Sequence, residues 1–256
     1  MRSIFLASLI PSVIVGRMTF NEFFRHALGL PHDPYPYQRV LAEGDWPKLI
    51  DVPTGMGKTA SVIVGWLYKR YRGDVNTPRR LVYCLPMRVL VEQTHRLALT
   101  WVSNTQERLK GESRQVPSVH LLMGGEVDAE WEEHPESPAI FIGTQDMLLS
   151  RALNRGYAMS RYKWPVHFGL LHNDALWVFD ETQIMGVAVE TSAQLEGLRR
   201  RLGNSAPTRT VWMSATLGQH QFATVDHPRM PEGWTTVTLT PEDEEHDAVR
   251  QRIDAQ

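Results

Sequence analysis

Short apolar runs alternate along the chain with segments whose apolar residues recur at helical spacing. Strands separated by helices favour a mostly parallel sheet with helices on both faces, an α/β fold. The predicted strands are 49–52, 80–85, 118–123, 139–144, 175–180 and 209–214. The predicted helices are 59–71, 88–102, 147–153 and 190–203, of which the last could begin earlier. Because ligands of such sheets bind beyond the carboxyl ends of the strands, polar motifs after these strands are candidates for one shared site.

The composition limits the size and the surroundings of such a site. A chain of 256 residues can hold one large α/β domain or two small ones. A net charge of -2 excludes a wholly basic coat, so any nucleic-acid contact must be a local patch. The single cysteine, Cys84, excludes an intramolecular disulfide framework and favours a reduced, cytoplasmic setting.

Residues 1–17 are largely apolar, but Pro11 interrupts them and they are too short to span a bilayer as a helix. They resemble the apolar core of a secretory signal, yet no small-x-small cleavage site follows. An amphipathic helical pattern begins at Met18. We therefore predict that residues 1–17 are an extension from an upstream start codon or a disordered apolar segment, and we expect no membrane partner.

The stretch DVPTGMGKTA, residues 51–60, lies between the first predicted strand and the first predicted helix. Glycines let a loop turn its N–H groups inward, and the positive end of the following helix favours an anion. Lys58 would then reach the β- and γ-phosphates of a nucleotide, and Thr59 would ligate Mg²⁺. Val52 stands where the general pattern has glycine, so an ordinary glycine-rich turn remains the alternative. The nucleotide-binding residues predicted in this loop are Thr54, Gly55, Gly57, Lys58 and Thr59.

Two adjacent acids end the apolar strand in LWVFDETQ. A buried strand that ends in two carboxylates needs a partner for their charge, and bound Mg²⁺ would supply one. Asp180 is the predicted metal ligand, and Glu181 is predicted to orient and deprotonate an attacking water. The alternative is a helix N-terminus whose acids offset the helix dipole, which explains one acid better than two.

Two further motifs are weak when taken alone. In SATL, Ser214 and Thr216 follow a predicted strand and could hydrogen-bond the acidic motif to relay the nucleotide state. In YPYQR, the Gln38 amide could donate to and accept from the edge of adenine, although an ordinary exposed glutamine has the same sequence signature.

In this order, YPYQR, DVPTGMGKTA, DETQ and SATL resemble the Q motif and motifs I, II and III of superfamily 2 helicases. The resemblance covers about residues 20–218 and implies a RecA-like P-loop domain, assigned to 18–218, that binds ATP and Mg²⁺. It implies that Lys58, Asp180 and Glu181 support catalysis and that Gln38 reads adenine. The residues implied to couple hydrolysis to movement are Gln183, where the DEAD-box RNA helicases have Asp, Ser214 and Thr216.

Four segments, DVPTGMGKTA, CLPMRVLVEQ, GTQDMLLSRAL and DETQIM, resemble more specifically the CRISPR-associated helicase-nuclease of type I systems. This resemblance implies an antiviral role in which an RNA-guided surveillance complex recruits the protein to a displaced DNA strand. The protein would pull single-stranded DNA, rather than RNA, with energy from ATP while a nuclease domain cuts it. The residues implied to contact the strand are Pro86, Arg88, Thr144 and Gln145.

No acidic residue lies between Asp146 and Asp174. Cations and aromatic residues alternate in this window, a combination that suits single-strand binding. They are Arg151, Arg155, Tyr157, Arg161, Tyr162, Lys163 and Trp164. An exposed basic helix and loop whose aromatics pack on the core explains the pattern equally well. Under the first interpretation Arg151 is a further predicted nucleic-acid contact.

Residues 219–256 do not resemble a second RecA-like domain with its arginine finger and are predicted to be a linker or the start of that domain. Two His-Asp pairs, His32-Asp33 and His246-Asp247, do not lie among other ligand-type residues, so no nuclease is evident. ATP turnover by the isolated chain is therefore expected to be poor. Two alternatives remain: another superfamily 2 motor, such as an RNA helicase or a restriction translocase, and a truncated chain that binds without turnover.

Overall fold

The computed structural model describes residues 18–111, 114–124, 126–127, 130–157, 159–215, 222 and 234–244. Its eight strands form one sheet in the order β4-β3-β5-β2-β6-β7-β1-β8. Neighbouring strands are parallel, except for β3 and β4. The strands are β1 Leu49–Asp51, β2 Arg80–Leu85, β3 Ser118–Met123, β4 Glu126–Val127, β5 Ala139–Thr144, β6 Ala175–Phe179, β7 Thr208–Ser214 and β8 Thr236–Thr238. The predicted segment 1–17 lies outside the described residues.

Helices cover both faces of this sheet, which confirms the predicted α/β architecture. The α-helices are α1 Phe20–Leu28, α2 Pro36–Glu43, α3 Lys58–Arg72, α4 Arg88–Gly111, α5 Gln145–Ala152, α6 Trp164–His172, α7 Val187–Leu202 and α8 Pro241–Glu244. Short 3₁₀ helices lie at η1 Glu130–Glu132, η2 Arg161–Lys163 and η3 Thr182–Ile184. No helix among the described residues is long and apolar enough to cross a membrane.

The two faces of the sheet have separate hydrophobic cores, and β2 contributes to both. Leu81, Tyr83 and Leu85 point into the core beneath α1 to α4, whereas Val82 and Cys84 point into the core beneath α5 and α7. Burial on both faces explains why the central strands are continuous apolar runs rather than alternating ones. The polar groups that follow these strands therefore stand out at the carboxyl edge of the sheet.

The helix predicted to begin at Met18 is confirmed as α1. Thr19 caps it, because its hydroxyl accepts the N–H of Glu22 while the Glu22 carboxylate accepts the N–H of Thr19. Its buried face carries Phe20 and Phe23, whose rings pack against Tyr68 of α3. The amphipathic pattern thus places α1 against the helix that follows the glycine loop.

Residues 234–244 pack onto the same sheet, although the sequence interpretation assigned them to a linker or to a second domain. β8 pairs in parallel with β1, and α8 contacts α2. The buried Asp243 carboxylate accepts the backbone N–H of Tyr37 at 3.1 Å. The assignment of 219–256 as a whole remains a prediction, but β8 extends the sheet at β1, the strand that precedes the glycine loop.

A buried histidine at the end of α6 connects three helices. His172 donates from Nε2 to the Ala152 carbonyl at 2.7 Å and accepts from the Arg199 guanidinium at Nδ1 at 3.0 Å. The bond from Arg199 requires the neutral ring, since a protonated Nδ1 cannot accept. Burial, and then the charge of Arg199, lowers the pKa of His172 to about 4.

This histidine should make the free energy of unfolding fall in mild acid. The unfolded ring takes up a proton near pH 6.5, whereas the folded ring resists protonation until about pH 4, so stability is lost as pH falls between these values. We expect a loss of about 2 kcal/mol between pH 7 and pH 4.5. Urea unfolding of the wild-type chain and of His172→Gln isolates this contribution as the difference between their pH slopes; equal slopes would contradict it.

Candidate nucleotide site and nucleic-acid cleft

The glycine loop joins β1 to the N-terminus of α3. Gly55 and Gly57 have φ angles of 79° and 77°, a region that disfavours residues with a side chain. Gly57 is also the N-cap residue of α3, so the loop ends at the positive end of a 15-residue helix. Val52 is fully buried in the core and is not among the residues with positive φ, so glycine is not required there. The departure from the general pattern therefore leaves the shape of the loop intact.

Lys58 is the first residue of α3, and its side chain is buried beneath the loop. Its ammonium donates to the Val52 carbonyl at 2.8 Å. The loop thus curves around its own lysine, and a phosphate oxygen could replace the carbonyl as acceptor. The next residue, Thr59, lies close enough to Tyr83 of β2 for their hydroxyl groups to interact.

Asp180 directly follows β6, and its carboxylate is buried. It accepts the Tyr83 hydroxyl at 2.7 Å and the Glu181 N–H at 2.8 Å. Burial raises the pKa of Asp180 to about 6, and the nearby charge of Lys58 only partly opposes this rise. A divalent cation would stabilise such a carboxylate, and the oxygen donors of Thr59 and Asp180 are of the type that Mg²⁺ prefers. The residues present therefore fit a magnesium site.

Glu181 belongs to a hydrogen-bonded series that reaches the end of β7. The Gln183 amide donates to the Glu181 carboxylate, and the Ser214 hydroxyl donates to the Gln183 carbonyl oxygen at 2.7 Å. Glu181 itself has φ 58° and ψ 43°, a left-handed conformation that is costly for a residue with a side chain. The structure thus joins Glu181, Gln183 and Ser214, whereas Thr216 lies outside the described residues. The role of this series in coupling remains a prediction.

Gln38 lies under the glycine loop and is buried. Its side-chain oxygen accepts the Tyr35 N–H at 2.9 Å, and its amide nitrogen donates to the Gly57 carbonyl at 3.2 Å. A pocket of about 390 Å³ opens beside it, with Tyr35, Gly55 and Gly57 in its wall. This volume suits a nucleotide base. Adenine recognition by Gln38 remains a prediction, and it would require the amide to exchange one of these bonds.

A second and larger cleft lies at the carboxyl ends of β2 and β5. Its volume is about 720 Å³, and Arg88, Thr144 and Gln145, all predicted nucleic-acid contacts, line it. Pro86 follows β2, where it is half-buried outside the described lining. The cleft therefore brings together three of the predicted contacts from two strand ends.

Arg151 is a correction to the predicted contacts. Its side chain is fully buried, and its guanidinium donates to the Met147 carbonyl at 2.7 Å. It lies on the inner face of α5, one turn after Met147 and beside Leu148 and Ala152, which are also buried. A strand on the surface cannot reach it. The helical spacing of these apolar residues would have identified this face as buried.

Comparison with known families supports the same interpretation of the site. The family model for the DEAD/DEAH box helicases matches residues 38–224, which is more than half of the chain. The chain belongs to the DEAD/DEAH box helicase family. The match extends from Gln38 past Ser214 and so includes both the glycine loop and the acidic motif. Among curated proteins, none matches by sequence.

Solved helicase structures share the fold of this family member. Mycobacterium smegmatis helicase Lhr bound to ssDNA and AMP-PNP is 16% identical, with a TM-score of 0.56 over 89% of this chain and 28% of that chain. The DUF1998 helicase MrfA bound to DNA is 16% identical, with a TM-score of 0.58 over 85% and 29%. The DEAD-box helicase Mss116 bound to ssRNA and UDP-BeF is 14% identical, with a TM-score of 0.55 over 88% and 44%. At these identities the likeness shows the RecA-like fold, and this chain spans less than half of each of the three.

The sequence did not predict the roles of two tyrosines in this helicase domain, although Tyr37 was a candidate to pack near the base. Tyr83 positions the carboxylate of Asp180, and Tyr37 supports the glycine loop by donating from its hydroxyl to the Met56 carbonyl at 2.5 Å. Both rings are fully buried. A tyrosine inside an aliphatic run such as LVYCL signals such a role, because its buried hydroxyl needs a partner.

Proposed function

We propose that this domain binds ATP with Mg²⁺ and hydrolyses it to drive movement along single-stranded DNA. The observation that carries the proposal is the shared position of two sites on one sheet edge. Lys58, Asp180 and Glu181 lie at the carboxyl ends of β1 and β6, and the cleft that contains Arg88 lies at the carboxyl ends of β2 and β5. Neighbouring β-strands thus connect the nucleotide site with a surface that would hold single-stranded DNA.

The residues of the nucleotide site have separate roles in the proposed hydrolysis. The Lys58 ammonium would exchange the Val52 carbonyl for the phosphates as its acceptor, and Thr59 and Asp180 would hold the metal. Bound Mg²⁺ supplies positive charge that offsets the charge developing on the phosphate oxygens. Glu181 orients the attacking water and accepts its proton. Tyr83 keeps one oxygen of Asp180 fixed through its hydroxyl.

A short path joins this site to the cleft. The backbone N–H of Asp180 donates to the Cys84 carbonyl at 3.0 Å, so the acidic motif is attached to the end of β2. From there the chain continues through Pro86 to Arg88 in the cleft wall. We propose that a shift of the acidic motif on hydrolysis moves this segment against the bound strand.

We also propose that the full protein is cytoplasmic and CRISPR-associated and that an RNA-guided surveillance complex delivers it to displaced DNA. The segments CLPMRVLVEQ, GTQDMLLSRAL and DETQIM support this role, and they follow or overlap the ends of β2, β5 and β6 around the two sites. A second RecA-like domain and a nuclease belong to this proposal. In the described part of the chain, no three His, Cys, Asp or Glu residues are grouped as metal ligands.

Stimulation of ATP turnover by nucleic acid tests the proposed function. We expect single-stranded DNA to raise the turnover rate more than RNA or duplex DNA of the same sequence. Arg88→Ala should weaken the stimulation without changing ATP affinity, because Arg88 lines the cleft and not the nucleotide pocket. Stronger stimulation by RNA would contradict the choice of DNA. An ATP turnover rate that neither DNA nor RNA changes would contradict the proposed movement along nucleic acid.

A further inference from the structure

The cleft has both polar and apolar residues in its lining. Besides Arg88, the lining includes Leu153 and Tyr157 from the segment after α5 and Val187 from the first turn of α7. These side chains are 49%, 64% and 77% exposed. Large apolar groups from two separate segments that surround one opening mark a binding surface rather than a core.

The loop that carries Tyr157 is held in place from α5. The Ser150 hydroxyl accepts the Tyr157 N–H at 3.1 Å, and the Ser150 carbonyl accepts the N–H groups of Arg155 and Gly156 at 2.8 and 3.1 Å. At Gly156, which has φ 28°, an added Cβ would lie 2.6 Å from the Trp164 ring, so the turn requires glycine. The exposed ring is therefore presented on a fixed support, which reduces the entropy lost on binding.

The charges around the cleft favour an anionic ligand. Arg88 lies in the lining, and Arg155 is exposed in the loop beside Tyr157. Among the described lining residues Asp146 is the one acid, and no further acid follows until Asp174. A ligand with aromatic faces and negative charge at regular intervals matches both the apolar and the polar lining residues, and single-stranded nucleic acid has this chemistry.

We infer that the apolar part of the lining is a base-binding subsite in which an unpaired base of single-stranded DNA stacks on Tyr157 and packs against Leu153 and Val187. Arg88, Thr144 and Gln145 then hold the adjacent phosphates. The inference rests on the proposed function and deepens it, because it gives the domain a means to distinguish single from double strands. A base within a duplex has its faces covered by its neighbours and cannot enter the subsite.

Binding of a DNA oligonucleotide that carries the fluorescent base 2-aminopurine tests the subsite without ATP turnover. In the 256-residue chain, stacking should quench the fluorescence, and Tyr157→Ala should abolish the quenching and weaken binding about 5- to 100-fold. Tyr157→Phe keeps the aromatic face and should bind like the wild type. Phe168→Ala is a control, since Phe168 is 40% exposed but is not among the residues that line the cleft.

Two results would overturn the inference. The first is that Tyr157→Ala keeps the wild-type affinity and quenching while Arg88→Ala weakens binding. The DNA strand would then occupy the cleft without stacking on Tyr157, and the proposed function would survive. The second is that Tyr157→Ala lowers the affinity for duplex DNA of the same sequence as much as it lowers the affinity for single-stranded DNA. If neither Tyr157→Ala nor Arg88→Ala changed affinity, the cleft itself would fail as the strand site, and the strand assignment in the proposed function would fail with it.

Discussion

Replacement of Lys58 by alanine should abolish ATP binding by this domain. The ammonium is buried under the glycine loop, where its present acceptor is the Val52 carbonyl. Without it, the phosphates would lose a desolvated charge-assisted contact, and we expect affinity to fall by at least about a hundredfold. Isothermal calorimetry with ATP and Mg²⁺ measures the change.

An exposed lysine provides the matched control for this substitution. Lys110 lies near the end of α4, and Lys110→Ala removes the same charge far from the loop, so ATP affinity should not change. Thermal unfolding of both variants separates lost binding from lost folding. Wild-type affinity in a folded Lys58→Ala variant would refute the assignment of the loop.

Replacement of Glu181 by glutamine should stop turnover while ATP still binds. Glutamine has nearly the same shape and can still accept the bond from Gln183, but it cannot take a proton from water. Loss of a general base lowers rates by about 10²- to 10⁴-fold, whereas affinity should stay within about threefold. Release of radiolabelled phosphate, measured with and without single-stranded DNA in a protein that also carries a second RecA-like domain, gives the rate.

Glu190 provides a control for the replacement of Glu181, the proposed general base. Glu190 is exposed in the first turn of α7, and Glu190→Gln changes the same charge without touching the Glu181–Gln183–Ser214 series. We expect wild-type turnover from it. Wild-type turnover from Glu181→Gln would remove Glu181 from its proposed role and point to another acceptor for the proton.

The sequence predicted the parts of the site that local chemistry specifies. A glycine loop before a helix and two acids after an apolar strand are unusual enough to be recognised, and parallel strands bring their ends to one edge. The structure places Lys58 and Asp180 near enough for their charges to interact. The strands 80–85, 118–123 and 139–144 were predicted with their observed bounds. Burial on both faces makes the first and third continuous apolar runs, whereas Ser118 is exposed and Val119 is half-buried in the second.

The parts that sequence reasoning missed depend on distant partners. β8 was not predicted, although its residues Thr-Val-Thr favour a strand, because so short a run becomes a strand only where an edge such as that of β1 is available to pair with. The exposed position of Tyr157 depends on the bonds that hold its loop to Ser150. Long-range packing of this kind overrides the local preference of a short segment.

The bond between Asp243 and the backbone of Tyr37 has a mechanical consequence. Tyr37 also supports the glycine loop through Met56, and β8, just before α8, is paired with the strand that leads into that loop. Tension on the residues after α8 would therefore act on Tyr37 and β1, which support the glycine loop. Mechanical force and nucleotide binding would then depend on the same few hydrogen bonds, so a load on the proposed motor would change its affinity for the nucleotide.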